Sequence, residues 1–237
     1  MTAPRRGAMV LTADLDRHER QYLELEALAS AAFYRFAFDD DQSAAIAFRD
    51  LLVARGAAEY GPPAARLLLL DDEPAGMFAV LTARLLQQRR LAAAVAIARA
   101  DGYRDDAELQ HRLRLAGSIL QRPAADDAYL SRIAVHPRSA GRGVGKWLLE
   151  QALEEARLLG AQRCVLDVAE ENERAIAFYG RAGFTEVGRA ATEDPRTGRK
   201  LGYLHMHKQF SIAGDRAIRA PDAQPRARDD LHGQSAS

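Results

Sequence analysis

Residues 129–149 read YLSRIAVHPRSAGRGVGKWLL, and the fold class turns on the change of period inside them. Up to Val135 the run is apolar and of strand length, and His136-Pro137 ends it because proline has no N–H with which to continue a ladder. Beyond Gly145, the residues Leu148, Leu149, Ala152, Ala156 and Leu159 recur at helical spacing, which predicts an amphipathic helix over 145–159 with Gly160 past its end. Between strand and helix stand Gly141, Gly143 and Gly145. A strand, a glycine turn and a helix N-terminus gather outward-pointing N–H groups and the positive end of a helix dipole, which together suit an anion such as a phosphate. Glycine leaves the backbone open to close approach, and Arg138 and Arg142 can add charge-assisted hydrogen bonds.

Two familiar phosphate motifs do not fit. A Walker loop would need glycine where Ala140 stands and a hydroxyl residue where Trp147 stands. A dinucleotide fingerprint would need a third glycine where Lys146 or Leu148 stands.

Working outward, the C-terminal side reads as a buried strand over 163–168, a short helix over 172–182 stopped by Gly183, and an antiparallel pair over 184–188 and 201–207. From about residue 211 the chain is rich in Arg, Asp, Pro, Ser and Gly, so a folded domain over 1–210 and a disordered tail over 211–237 are expected. On the N-terminal side, Asp14 is placed to cap one helix carrying Leu15, Tyr22, Leu25, Ala29, Phe33 and Phe36, ended by Asp39-Asp40-Asp41. A second helix runs from about residue 43 to Gly56, and a hairpin of strands follows over 66–70 and 76–81. Helical periodicity returns over 83–122, broken near Gly102 and closed by Pro123, so a helical hairpin is inserted between strands.

The composition bounds what remains. At 237 residues the chain can bury one sizeable core, and its 33 basic and 33 acidic residues give no bulk positive field for nucleic acid or anionic lipid. No nucleic-acid or membrane partner is expected, and a cytoplasmic protein is the default, with room for a homodimer. Cys164 is the single cysteine, which excludes an internal disulfide; its apolar neighbours predict a buried strand thiol, and no metal site is expected.

From Tyr129 to Gly188 the segments YLSRIAVHP, AGRGVGKWLL, CVLDV and ENERAIAFYGRAGFTEVG together resemble the core of the GCN5-related N-acetyltransferase (GNAT) family. The flanking strands extend a weaker likeness to residues 66–208. One departure is Ala140, where the family usually has Gln or Arg; Arg138 or Arg142 would supply the missing side-chain contact. The resemblance implies an α/β fold: a mixed, mostly antiparallel central sheet with a splayed parallel strand pair, helices on both faces, and the 83–122 insertion between the third and fourth strands.

It further implies that acetyl-CoA is a cosubstrate whose acetyl group passes to a primary amine by direct attack. The pyrophosphate would lie on Gly141, Arg142, Gly143, Val144, Gly145 and Lys146. Ile133, Ala134 and Val135 would run beside the pantetheine arm, with a backbone N–H polarising the thioester carbonyl. Tyr179 would protonate the departing thiolate, and Asn172 would contact pantetheine, cap the following helix, or do both. The base is open: Asp167, a carboxylate within an apolar strand, is the first candidate, while Glu170 and Glu171 read as solvated residues before a helix. His136 reads as the end of its strand. The acceptor would be met by residues 14–60, the last strands and the insertion, the last acting as a lid. Small-molecule amines and protein N-termini or lysines compete as acceptors, and a non-catalytic acyl-CoA sensor is the alternative from another class.

Overall fold

The computed structural model describes residues 9–12, 15–39, 41–54, 56 and 64–210. Asp14, Asp40 and the tail from residue 211 lie outside them. The chain order is β1 (Met9–Thr12), α1 (Leu15–Ala29), α2 (Ala31–Phe38), α3 (Gln42–Ala54), β2 (Ala65–Leu70), β3 (Glu73–Thr82), α4 (Ala83–Arg99), α5 (Ala107–Ser118) and β4 (Asp127–Val135). A 3-10 turn (Pro137–Ser139) then leads to α6 (Val144–Leu158), β5 (Arg163–Ala169), α7 (Glu173–Arg181), β6 (Thr185–Glu193) and β7 (Lys200–Gln209).

These strands form one sheet in the order β1-β2-β3-β4-β5-β7-β6, antiparallel except for the parallel pair β4 and β5. The mixed fold implied by the resemblance is the fold observed. With β1 counted, α4 and α5 sit between the third and fourth strands as expected.

The sheet's two faces are covered by different parts of the chain. On one face α6 lays Leu148, Leu149, Ala152, Leu153 and Ala156 against Phe78, Val80, Leu130 and Leu166, and Tyr179 of α7 joins the same cluster. On the other face α1, α2 and α3 bring Tyr22, Leu25, Phe38 and Phe48 against Leu67, Met77 and Ala79, and α4 and α5 add Ala96 and Leu109. The insertion is therefore a packed layer: Leu86 is buried with Tyr129 and Val165, while Ala116 and Ile119 are buried with Phe36 and Leu201.

Three differences from the sequence reading have local causes. The single helix expected from Asp14 to Phe36 is two, because the chain turns at Ser30 (φ −113°, ψ 12°), whose hydroxyl donates to the buried Glu26 carboxylate at 2.7 Å. Tyr34, one turn into α2, donates to the other Glu26 oxygen at 2.9 Å, so a buried acid joins the two helices. Strands β6 and β7 run further than expected, since the turn between them is built on buried Asp194, which accepts from the Arg196 N–H and the Thr197 hydroxyl, both at 3.0 Å. Strand β1 has no counterpart in the sequence reading; four residues pair with β2 at the sheet edge.

The register of β4 positions the site. Leu130 pairs with Val80 and Arg132 with Ala79, so Ser131 is an extra residue, a β-bulge. Before it Ala128 and Leu130 face α6; after it Ile133 and Val135 do, while Ala134 turns to the opposite cluster. Pairing between β4 and β5 stops at Tyr129 opposite Val165, and the remainder of the two strands diverges.

Gly76 is where α6 comes closest to the sheet: a Cβ there would lie 2.6 Å from Leu148 Cδ1 and 2.7 Å from the Ala134 carbonyl oxygen. The carbonyl belongs to the ladder and cannot retreat. Gly76→Ala should therefore destabilise the fold by about 1–3 kcal/mol, read as a lower urea midpoint with an unchanged slope; a wild-type midpoint would contradict this packing.

Candidate active site

The glycine turn starts where β4 ends. His136 donates its backbone N–H to the Ala75 carbonyl at 2.9 Å, and its Nδ1 accepts the Arg138 N–H at 3.2 Å, so it closes the strand and caps the 3-10 turn as the sequence suggested. Gly141 and Gly143 then adopt φ of +75° and +80°, the left-handed region, where a side chain would be strained. Space over both is open, since an added Cβ would meet nothing within 4 Å. Gly143 is the N-cap of α6 and has no side chain to satisfy the first N–H groups. Trp147 donates back to the Gly143 carbonyl at 3.1 Å, leaving the N–H groups of Val144, Gly145 and Lys146 without intrahelical acceptors. The helix thus begins one residue earlier than expected and presents an uncapped positive end ringed by exposed Arg138, Arg142 and Lys146. At Gly145 the reason for glycine is packing: a Cβ would sit 3.4 Å from Val135 Cγ2 and 3.9 Å from Phe178 Cζ.

Next to this turn runs the edge of β4 that, among the described residues, no strand covers after Tyr129. Ile133, Ala134 and Val135 lie on it, and across the gap lie Leu166, Asp167 and Val168 of β5. The gap opens toward both faces of the sheet, and the two candidate catalytic side chains lie on opposite sides of it.

Tyr179 is on the α6 face, only 7% exposed, with its ring 5.4 Å from Phe178 and 5.6 Å from Phe184. Burial pushes its phenol above the ordinary value of 10.0, with a smaller contribution from Cys164, so the group stays neutral and able to donate a proton. Cys164 is itself buried, and desolvation pushes its thiol up to about 12. Asn172 is the N-cap of α7, its Oδ1 accepting the Ala175 N–H at 3.1 Å.

Asp167 is on the other face, its side chain 2% exposed. Its Oδ1 accepts from Gln121 Nε2 at 2.8 Å and faces His205 Nδ1 at 2.6 Å; its Oδ2 accepts from the Tyr129 hydroxyl at 2.9 Å and the Gln121 N–H at 3.2 Å. Sequence reading picked out Asp167 but none of these partners. The available signal was the alternation Tyr203, His205, His207 along the last strand, one polar side chain every second residue on a single face.

Glu171 pairs with Arg35 of α2, and the Glu170 carboxylate lies over Gly202. Both belong to a cavity of about 420 Å³ between α2, the β5–α7 turn and the start of β7, which Arg35, Arg199 and Lys200 also line. A second cavity, of about 700 Å³, continues past Arg35 between α1, α2 and α3, lined by Glu19, Glu24, Asp41, Arg49 and Asp50 among others. Both lie in the N-terminal helices and last strands, the regions expected to meet an acceptor. Neither of these two cavities is lined by residues 83–122, which pack into the core through Leu86, Ala116 and Ile119. Among the described residues no cluster of three or more His, Cys, Asp or Glu could hold a metal ion, and no helix is long and apolar enough to cross a membrane.

A profile described as the Acetyltransferase (GNAT) family matches residues 16–184. The chain is 40% identical over 73 residues to a mycothiol acetyltransferase of Beutenbergia cavernae, covering 31% of this chain and 25% of that protein. It is 37% identical over 74 residues to the [ribosomal protein bS18]-alanine N-acetyltransferase of Salmonella typhimurium, covering 31% of this chain and 50% of that one. The chain thus spans at most half the length of these two relatives. Two solved structures share the fold: one described as an acetyltransferase (TM-score 0.58, 18% identity, 86% of this chain and 100% of that one), and an N-acetyltransferase from Staphylococcus aureus Mu50 (TM-score 0.57, 15% identity, 84% and 100%).

The buried thiol and phenol carry a pH signature. Both groups titrate higher in the folded state, so their contribution is intact below the unfolded-chain values and is lost as the unfolded chain ionises first. Unfolding free energy should fall as pH rises from 9.0 toward about 12 for Cys164, with Tyr179 adding to the loss above 10.0. Urea titrations should give a shallower decline for Cys164→Ala than for wild type over the lower part of that window; identical slopes would mean that the thiol is not desolvated.

Proposed function

The chain belongs to the GNAT acetyltransferase family, and from that membership we propose that it is an N-acetyltransferase moving the acetyl group of acetyl-CoA to a primary amine by direct attack. The supporting observation is the meeting, at one gap in the sheet, of an uncapped helix N-terminus, an unpaired strand edge and a buried neutral phenol.

In this proposal the pyrophosphate lies on the backbone from Gly141 to Lys146, with Arg138 and Arg142 closing on its oxygens. Pantetheine follows the free edge at Ile133, Ala134 and Val135 and pairs with it as a strand would, and Asn172 meets it from the other side. A β4 N–H facing the gap donates to the thioester carbonyl oxygen as it becomes an oxyanion; loss of such a donor costs about 3–4 kcal/mol of barrier. Tyr179 hands its proton to the departing thiolate. Asp167 is the carboxylate on the amine side.

The amine reaches the gap from the face that carries the two cavities. Their lining mixes Glu24, Asp39, Glu170 and Glu171 with Arg35 and Arg199, a pattern suited to an acceptor that has an ammonium group and an anionic or amide portion. Free amino compounds and peptide N-termini both answer to that description. Among the relatives, one is named for mycothiol and one for an alanine of a ribosomal protein.

Calorimetric titration with acetyl-CoA, with ATP and NAD as controls, should show saturable binding by acetyl-CoA alone. Thiol release should then be followed with a panel of primary amines: short peptides with free N-termini, lysine and aliphatic diamines. Tyr179→Phe should bind acetyl-CoA as wild type does and lose about 10²-fold or more in kcat. Absence of acetyl-CoA binding would retire the enzyme reading, and binding without turnover on any amine would favour a sensor.

A further inference from the structure

We infer that His205 is the group that takes the proton from the acceptor amine, with Asp167 as its positioning partner. The inference rests on the acetyl-transfer reading and assigns the base within it.

Asp167 is poorly arranged to be the base itself. Its side chain is 2% exposed, and both oxygens are occupied by the Gln121 N–H and amide, the Tyr129 hydroxyl and His205. To bind a proton from outside it would have to break one of these bonds while buried. The Gln121 and Tyr129 contacts come from groups that donate, so the carboxylate acts as an acceptor on each of them. His205 Nδ1, 2.6 Å from Oδ1, then carries the remaining donor hydrogen, and the neutral ring has its lone pair on Nε2. A carboxylate that fixes the tautomer and supports the imidazolium, with the other ring nitrogen left to accept, is the arrangement of a histidine base and its orienting acid.

Position agrees with this chemistry. Asp167 and His205 are register partners on β5 and β7, two residues past Val165, the last β5 residue paired with β4, so the pair stands at the mouth of the gap. It lies on the face opposite Tyr179. The amine therefore meets a base on one side of the sheet while the thiolate leaves toward an acid on the other.

The ring's surroundings leave few other charges to tune it. From β5 it meets Asp167 and from β4, through Asp167, Tyr129; the insertion contributes the neutral Gln121 and, one contact further out, the cation Arg90, which donates to the Gln121 carbonyl at 3.2 Å and lies over the Tyr129 ring at 5.4 Å. From β6 its neighbour is Gly188, where an added Cβ would lie 3.4 Å from His205 Cδ2, so a larger residue there would crowd the ring. On β7 the same-face neighbours are Tyr203 and His207, and α2, which packs Ala32, Phe33 and Phe36 toward Leu201 and Tyr203, has its one cation, Arg35, paired with Glu171.

Nε2 of His205 removes one proton from the acceptor ammonium, and the freed lone pair forms the C–N bond as the carbonyl π electrons move to oxygen. The oxyanion collapses, the C–S bond breaks, and the thiolate takes the Tyr179 proton. The new amide nitrogen sheds its second proton, which restores the phenol, and the His205 proton passes to solvent.

The test is steady-state kinetics on the best amine of the panel, followed as a function of pH. His205→Gln keeps a donor to Asp167 but no titrating nitrogen. It should lower kcat about 10²-fold or more with the KM for acetyl-CoA unchanged, and abolish the acid limb of the kcat/KM profile. A wild-type kcat, or an unaltered acid limb in the variant, would overturn the assignment of His205 alone. Wild type that binds acetyl-CoA yet turns over no amine would overturn the transfer reading and this inference together. A second readout needs no variant: in 15N-labelled wild type, His205 should be the Nδ1–H tautomer when neutral, and an Nε2–H tautomer would overturn the assignment.

Discussion

A parallel pair of strands in the middle of a sheet is normally held along its whole length, because an unpaired buried N–H or carbonyl costs about 1–3 kcal/mol. Here β4 keeps β3 throughout but keeps β5 for only three residue pairs. The bulge at Ser131 allows both. It shifts the side-chain alternation of β4 by one, so that Leu130 before it and Ile133 and Val135 after it all reach the cluster under α6. The core closes while, among the described residues, the backbone edge beside it has no strand partner beyond Tyr129. Everything assigned to the site is arranged around that edge.

The two sides of the gap are chemically distinct environments. On the α6 side Tyr179 sits among Phe178, Phe184 and Cys164, an apolar setting that holds a phenol neutral. On the opposite side Asp167 accepts three hydrogen bonds from β4 and the end of the insertion and faces the His205 ring of β7. A buried neutral phenol and a hydrogen-bonded carboxylate with its histidine stand on opposite faces of one sheet, a division on which the proposed acid and base roles draw. The insertion contributes to this division through Gln121, since the segment after α5 brings two of those donors to Asp167.

Besides packing on β2, β3 and β4, the N-terminal helices reach the last strands through α2. Buried Phe36 packs on Leu201, Arg199 reaches the Phe36 carbonyl at 3.2 Å, and the Arg35–Glu171 and Arg199–Asp39 pairs span the cavities. Exposed pairs such as Arg35 with Glu171 are worth only about 0–1 kcal/mol. The apolar contact therefore holds α2 in place, and the charges are left to meet what enters.

The sequence by itself determined the strand-turn-helix of residues 129–149, the buried Cys164 and the order of most elements, and it offered a cap as one role of Asn172. These depend on neighbours one to four residues apart, so period and composition carry them. Tertiary structure alone decided four further features. The short edge strand β1 is defined by its partner β2. The break at Ser30 is held by buried Glu26, and the bulge at Ser131 is visible only in the register against β3. The pairing of His205 with Asp167 joins residues 38 positions apart. A local pattern can say that a polar side chain stands on a strand face, but which group it meets is fixed by strand order and register, and these are set by how two helical layers close over the sheet.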